Sequence, residues 1–269
     1  MNRNQFLRQL GLLGAATLTG CASTSKSKKG PEFRVLTYNI HHGEGMDGRL
    51  DLERLAKVIL DSKADLVGLQ EVDRGVARTQ GRDLPAELAE LTGMTALFAN
   101  NYSVQGGEYG NAILTRYPVQ RWTHLRFKPV RPGETRGLLQ AVVEVEGTEV
   151  AFLNTHLDHR PEDVDRLASV EEILTAAAVF GKMPLVLVGD FNDLPGSRLD
   201  VRLSETFRDA WRKVGVGAGS TSPTGDLKRR IDYVWLRGPV EATEAEVIPG
   251  IASDHAALRV SLRLTSGVR

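Results

Sequence analysis

Cysteine is nearly missing from this chain. Cys21 is the one thiol in 269 residues. No intrachain disulfide can brace the fold, and no thiolate set can hold zinc or an iron–sulfur cluster. Net charge is missing as well, because 34 basic residues balance 34 acidic ones. A protein that grips duplex DNA without regard to sequence needs a basic footprint that neutralises several phosphates. The overall composition offers no surplus for one, which leaves only a local basic patch to serve. Long apolar runs are absent too: Leu10 to Leu18 is too short to span a bilayer as a stable helix. A phosphate-cradling glycine loop is also lacking, since no helical pattern follows Gly106-Gly107 at the required spacing.

What is present begins with an address. Arg3 and Arg8 precede the short apolar run, which ends in Leu18-Thr19-Gly20-Cys21. This is the pattern of a signal peptide over residues 1–20. Its end resembles the bacterial lipobox, which implies cleavage before Cys21 and lipidation of that thiol. The expected product is an exported protein held to a membrane of the bacterial cell envelope. A plain secretory signal with an incidental cysteine is the alternative. Arg3-Asn4-Gln5-Phe6-Leu7-Arg8 looks like a twin-arginine signal with Asn4 in place of the second arginine, so the export route stays open. Residues 22–30 are polar without an apolar period, as in a flexible tether. The expected division is a signal over 1–20, lipidated cysteine and tether over 21–31, and one domain over 32–269.

Over the whole chain, hydrophobic residues make up 41% and charged residues 25%, enough for one sizeable core. Strand patterns fall at Phe33–Ile40, Ala64–Leu69, Asn111–Thr115, Leu138–Val145, Val150–Leu157, Leu185–Val188, Ile231–Leu236 and Ala256–Leu262. The wholly apolar Leu185–Val188 marks a strand covered on both faces. Asp51 caps a predicted helix carrying Leu52, Leu55, Ala56 and Ile59 on one face. Asp83, Pro85 and Gly93 bracket a second helix. A third runs from Pro161 to Phe180, with Val164, Leu167, Val170, Ile173 and Leu174 near one face and Gly181 as its stop. Strands outnumber helices, which predicts an α/β domain of two packed sheets with helices outside.

Chemistry collects where the apolar runs end. Thr37-Tyr38-Asn39-Ile40, Leu69-Gln70-Glu71-Val72-Asp73, Asn154-Thr155-His156-Leu157-Asp158, Gly189-Asp190-Phe191-Asn192-Asp193 and Ser253-Asp254-His255 each abut a predicted strand. Strand ends are rigid and converge, so α/β enzymes build sites there. Carboxylates, amides and histidines without a thiol suit a hard, oxygen-preferring cation such as Mg²⁺. Histidine is then left for acid–base or phosphate work. Glu71 is a ligand, a helix cap or a solvated rim charge. Asn39 is a ligand or an Asx-turn residue. Asp190 and Asn192 alternate about Phe191, so an extended segment points both to one face. Arg136 is a surface charge or a bidentate partner for phosphate.

In this order the motifs, with Gly110-Asn111-Ala112-Ile113-Leu114 and Ile231-Asp232-Tyr233, resemble the endonuclease/exonuclease/phosphatase superfamily from about Phe33 to Leu264. The resemblance implies a four-layer α/β sandwich with the site at one rim between two mixed sheets. It implies Mg²⁺, with Mn²⁺ or Ca²⁺ as substitutes, held by Asn39, Glu71 and Asp254. It gives Asp190 the attacking water, with Asn192 helping to fix it. Asp232 pairs with His255, His156 meets the phosphate or leaving group, and Tyr109 and Asn111 steady the phosphate and Asp190. His41 departs from the pattern, standing where many relatives carry an acid, which removes a metal contact or moves the metal. His41 and Arg136 are secondary candidates for phosphate contact; His42, Asp158 and His159 are weaker ones. The implied activity is hydrolysis of a phosphate ester, with a phospholipid, sugar phosphate or other small ester as substrate. An exported nuclease acting on nucleic acid is the alternative, and a lipid-anchored binding protein without catalysis is a third reading. Nothing in the sequence sets the oligomeric state.

Overall fold

A computed structural model describes residues 30–265. The expected signal, Cys21 and nearly all of the tether lie outside them. In chain order the elements are β1 (Glu32–Asn39), α1 (Leu52–Ser62), β2 (Leu66–Arg74), α2 (Leu84–Thr92), β3 (Thr95–Val104), β4 (Gly107–Thr115), β5 (Val119–Arg126), β6 (Gly137–Val145), β7 (Thr148–His156), α3 (Val164–Ala178), β8 (Leu185–Asp190), α4 (Arg198–Ser204), β9 (Arg208–Asp209), α5 (Ala210–Val214), β10 (Asp232–Arg237), β11 (Val240–Ile248) and β12 (Ala257–Leu264). They form two six-stranded sheets, ordered β11-β12-β1-β2-β4-β3 and β5-β6-β7-β8-β10-β9.

One parallel pair sits in the middle of each sheet. Asn39 of β1 pairs with Gln70 of β2, and His156 of β7 pairs with Asp190 of β8. Parallel neighbours end together, so both pairs deliver polar residues to the rim. The other pairings are antiparallel.

The sheets face each other across a core that includes Val35, Ile113, Phe152, Val188 and Val234. A second apolar cluster lies under α1 and α2, with Leu36, Leu55, Ile59, Leu69 and Leu88. A third lies under α3 and α4, with Leu153, Val170, Ile173, Leu187 and Leu203. These three layers of packing define the helix–sheet–sheet–helix sandwich. Asp51 caps α1 by accepting from Arg54 N at 2.9 Å, and Asp83 caps α2 by accepting from Ala86 N at 3.0 Å.

The sheets approach closely at Gly68. A Cβ on Gly68 would sit 2.4 Å from Val188 Cγ2, so only glycine fits there. Beside it Asn154 staples the two sheets. Its amide donates to the Leu69 and Ala112 carbonyls at 2.8 Å each and accepts from Gln70 Nε2 at 2.7 Å. A buried polar group is stable when its donors and acceptors are met in this way.

Several expectations change. β2 does not stop at Leu69 but runs on to Arg74 across a bulge between Leu69 and Val72. β3, β5 and β11 are additional strands. α3 begins at Val164, which is exposed, and its buried positions include Asp165, Arg166 and Ser169 beside Val170, Ile173 and Ala177.

Candidate active site

The bulge in β2 aims Glu71. A bulge inserts one residue and turns a side chain away from its expected face. Here Glu71 takes a φ of 58°, a strained conformation for a residue with a Cβ. Its carboxylate enters a cavity of about 340 Å³ lined also by His41, Tyr109, Arg136, His156, Asp190, Asn192, Asp254 and His255. A larger hollow of about 610 Å³ lies between α3 and α4. It holds surface charges such as the Arg202–Glu171 ion pair and none of the motif residues.

Asn39 ties the two halves of the site together. Its Nδ2 donates to Glu71 Oε1 at 3.0 Å and to Asp190 Oδ2 at 3.1 Å. Its Oδ1 accepts from His41 N at 3.1 Å, which leaves that oxygen one further lone pair. The Asx-type turn and the bridging role therefore coexist. It leads into His41 and His42, whose φ values of 45° and 44° are both left-handed.

Asp190 ends β8 and is buried. Asn192 also reaches the cavity, but not through an extended segment. It is left-handed, with a φ of 51°, and its backbone N–H donates to Asp190 Oδ1 at 2.9 Å. A tight turn therefore brings the two side chains together, and the expected strand-like alternation is corrected. Two histidines flank the carboxylate: His156 Nε2 and His255 Nε2 lie 3.6 and 3.7 Å from Asp190 Oδ2. His255 Nδ1 meets Asp232 Oδ2 at 2.8 Å. Thr221 donates to that same oxygen at 2.5 Å.

The remaining candidates are placed unequally. Tyr109 lines the cavity beneath the Arg78 guanidinium, whose carbon lies 5.4 Å from the ring centroid. Asn111 is buried behind it, and its amide donates to the Gly137 carbonyl at 3.1 Å. Arg136 is no surface charge. It is buried, pairs with Glu134 at 2.9 Å, and places Nη1 3.0 Å from His156 Nδ1. His159 lies 3.3 Å from its Nη2. Asp158 instead binds Arg160. Sequence reasoning missed Arg78, Tyr102 and Glu134, all of which line the cavity. Glu134 adjoins the Arg136-Gly137 strand start, a signal that could have exposed it. Arg78 and Tyr102 stand in no motif.

The electrostatics divide the titrating groups. Burial and the charge of Asp232 push Asp190 up to about 7, against the pull of His255 and Asn39. Burial alone would discharge His255, but Asp232 and Asp190 outweigh it and push the ring up to about 10. His156 is held well below its ordinary value by burial, then by Arg136, His255 and His159.

The donor set fits a hard divalent cation. Glu71 and Asp254 present carboxylates to the cavity, Asn39 stands beside Glu71, and the described residues include no thiol. The strained bulge that aims Glu71 inward supports the same reading. Asp190, Asp232 and His255 bring ligand-type atoms within 4.8 Å of one another. His255 and Asp232 are already hydrogen-bonded to each other at 2.8 Å, which suits a histidine–carboxylate pair beside Asp190.

Comparison with known proteins agrees with this geometry. The model of the Endonuclease/Exonuclease/phosphatase family matches residues 36–255. The uncharacterized protein YbhP of Escherichia coli (strain K12) is 30% identical over 259 residues, spanning 86% of this chain and 96% of its own. The 5'-tyrosyl-DNA phosphodiesterase of Caenorhabditis elegans is 25% identical, spanning 87% of this chain and 67% of its own. The crystal structure of an endonuclease/exonuclease/phosphatase from Beutenbergia cavernae superposes with a TM-score of 0.71 and 26% identity, over 88% of this chain and 72% of that one.

Proposed function

Since the chain belongs to the endonuclease/exonuclease/phosphatase family, whose members hydrolyse phosphate esters, we propose that it is a Mg²⁺-dependent phosphoesterase acting by in-line attack of water. The observation that carries this reading is the single Asp190 oxygen flanked by two histidine nitrogens at 3.6 and 3.7 Å and tied through Asn39 to Glu71. Two imidazoles and a second carboxylate gathered around one carboxylate oxygen support reading this point as a base with phosphate contacts and a cation ligand beside it.

The roles follow from the environments. Asp190, pushed up to about 7, is poised near neutral pH to take the proton of the attacking water. Asn192 helps to fix that water. His255 is kept charged by Asp232 and faces the developing negative charge on the phosphoryl oxygens. When bound by Glu71 and Asp254 with Asn39 beside them, Mg²⁺ supplies further positive charge there. Tyr109 and His41 border the space that the ester occupies.

The substrate is a small or lipid phosphate ester. The cavity's two guanidiniums are already matched, Arg78 bidentately by Asp73 at 2.8 Å and Arg136 by Glu134 at 2.9 Å. Little basic charge is left there to grip a duplex. The C. elegans relative, by its name a DNA phosphodiesterase, keeps the nuclease alternative in the test. We also place the protein at a bacterial membrane through a lipid on Cys21; among the described residues no helix is long and apolar enough to cross one.

A panel of phosphodiesters and phosphomonoesters, each with Mg²⁺, Mn²⁺ or Ca²⁺ and with a chelator control, tests the proposal. Chelator-sensitive turnover of a small or lipid ester supports it. Preferential cleavage of DNA would promote the nuclease, and no turnover of any ester would promote the binding protein.

A further inference from the structure

His156 and His255 stand on either side of one carboxylate oxygen, but opposite charges back them. Behind His255 is Asp232, an acceptor. Behind His156 is Arg136, whose Nη1 lies 3.0 Å from His156 Nδ1. A guanidinium only donates and keeps its protons at any pH the protein survives. His156 Nδ1 must therefore be a bare acceptor. A neutral imidazole has one N–H, which is then left on Nε2, the nitrogen that faces Asp190.

Arg136 is itself held in place. It is buried, and its ion pair to Glu134 is steadied from behind, where Tyr102 donates its hydroxyl to Glu134 Oε1 at 3.2 Å. Its backbone carbonyl accepts from Phe127 N at 2.9 Å. Arg136 ends the β5–β6 connection, and in the next residue Gly137 pairs in register with His156. The guanidinium is thus fixed to the strand that neighbours the ring it touches.

We propose that Arg136 is a positioning residue that locks His156 as its neutral Nε2–H tautomer, so that His156 gives the phosphoryl group a hydrogen bond but not a proton. The two histidines then divide the work: one is a charged ring backed by a carboxylate, the other an uncharged donor backed by a guanidinium. The charged or titrating groups that face His156 are Arg136 before β6, His159 after β7, Asp190 at the end of β8 and His255 before β12. Three of them can bear positive charge, which opposes protonation of the ring. Asn192 must comply. Its amide nitrogen is placed 3.1 Å from His156 Nε2, where a second donor cannot stand. A half-turn of the amide exchanges nitrogen for oxygen and gives Nε2–H an acceptor that a phosphoryl oxygen replaces when the ester binds, at the expense of the bond from Asn192 to the Leu157 carbonyl. The leaving oxygen must then obtain its proton from a group other than His156.

The phosphoesterase reading gives this arrangement its purpose, but the test reads the ring directly. Histidine is labelled with ¹⁵N in the whole chain, and the His156 signals are identified by their loss in His156→Gln. The expected spectrum shows one neutral tautomer, protonated on Nε2, that does not titrate around pH 6.5, where a free ring would. Arg136→Met should release the ring to titrate and to mix tautomers, and Arg136→Lys, which keeps a donor, should restore the Nε2–H form. In turnover, Arg136→Met should lower kcat with KM little changed and add a pH limb absent from wild type. A wild-type ring protonated on Nδ1, a ring charged at neutral pH, or a ring unaltered in a folded Arg136→Met protein would each overturn the proposal. Should Arg136→Met not fold, the wild-type spectrum and Arg136→Lys decide. Failure of the phosphoesterase reading would appear as absent turnover and would leave the spectra unchanged.

Discussion

Asp232 and His255 should behave as one unit. The ring nitrogen and the carboxylate oxygen are 2.8 Å apart, and both side chains are buried. The rise of His255 from 6.5 to about 10 corresponds to about 5 kcal/mol of preference for the charged ring, at 1.36 kcal/mol for each unit. Without Asp232, only Asp190 and Asp254 remain to oppose burial, so the ring holds its proton less firmly. Asp232→Ala and His255→Ala should each slow turnover by about 10²–10⁴-fold, the range for one acid–base group. If Asp232 acts only by holding His255, the double variant should be about as slow as His255→Ala alone. Rates at saturating substrate and metal, measured on all four proteins, give the coupling. Losses that multiply in the double variant would refute the pairing and give Asp232 a separate task. Stability supplies a second reading in the metal-free protein. A ring whose folded pKa is raised contributes fully below its unfolded value of about 6.5 and loses that contribution as pH rises through about 10. The urea midpoint of wild type should therefore fall across that window, and the fall should be weaker in His255→Ala.

Three further outcomes are expected. Glu71→Ala should keep its thermal midpoint while losing Mg²⁺ affinity by more than about 10–100-fold, the loss typical for an outer partner of a metal ligand; near wild-type activity at saturating Mg²⁺ would remove Glu71 from the ligand set. Gly68→Ala should cost about 1–3 kcal/mol in urea unfolding, because its Cβ would sit 2.4 Å from Val188 Cγ2 and 2.9 Å from the Asn154 amide; an unchanged midpoint would mean that the sheets separate without penalty. Plasmid DNA should be cleaved more slowly than small or lipid phosphodiesters at both about 50 and about 200 mM salt; fast cleavage at the lower salt that collapses at the higher one would favour the nuclease.

The parts of the fold legible in the sequence are those whose local chemistry and burial agree. α1 and α2 announce themselves through Asp51 and Asp83, each of which makes its cap bond. Leu185–Val188 is apolar at every position because β8 is buried on both faces. The strands that escaped notice lie toward the sheet edges. β5 is largely exposed, and β11 carries Glu241, Glu244 and Glu246. Their neighbours hold them in place more than their own apolar pattern does, and strand propensity is a weak guide where one face is solvated. The left-handed turns at Glu71, Asn192, His41 and His42 were equally hidden. Such strain persists only where surrounding contacts over-determine the backbone, and a single strand of sequence does not display them.

The site draws on strand ends and on strand beginnings; the motifs at both were legible, whereas Arg136, at a strand start outside any motif, read ambiguously, and topology explains the arrangement. β1, β2, β7 and β8 all run toward the rim, so Asn39, Glu71, His156 and Asp190 follow apolar runs, as a convergent site should. Strands antiparallel to these must start where the others finish. Asp232, the first residue of β10, pairs with Asp190. His255 stands just before β12, whose Leu258 pairs with Thr37. Tyr109 is the third and Asn111 the fifth of the nine residues of β4. Arg136 stands just before β6, whose Gly137 pairs with His156. A rim built from two mixed sheets therefore draws on the ends of one set of strands and on the beginnings of the other. A polar residue ahead of an apolar run has the same claim to the site as one behind it, once the direction of the strand is known. Arg136 read alone has the look of a solvated charge; placed at the start of a strand antiparallel to β7, it has nowhere to go but against His156.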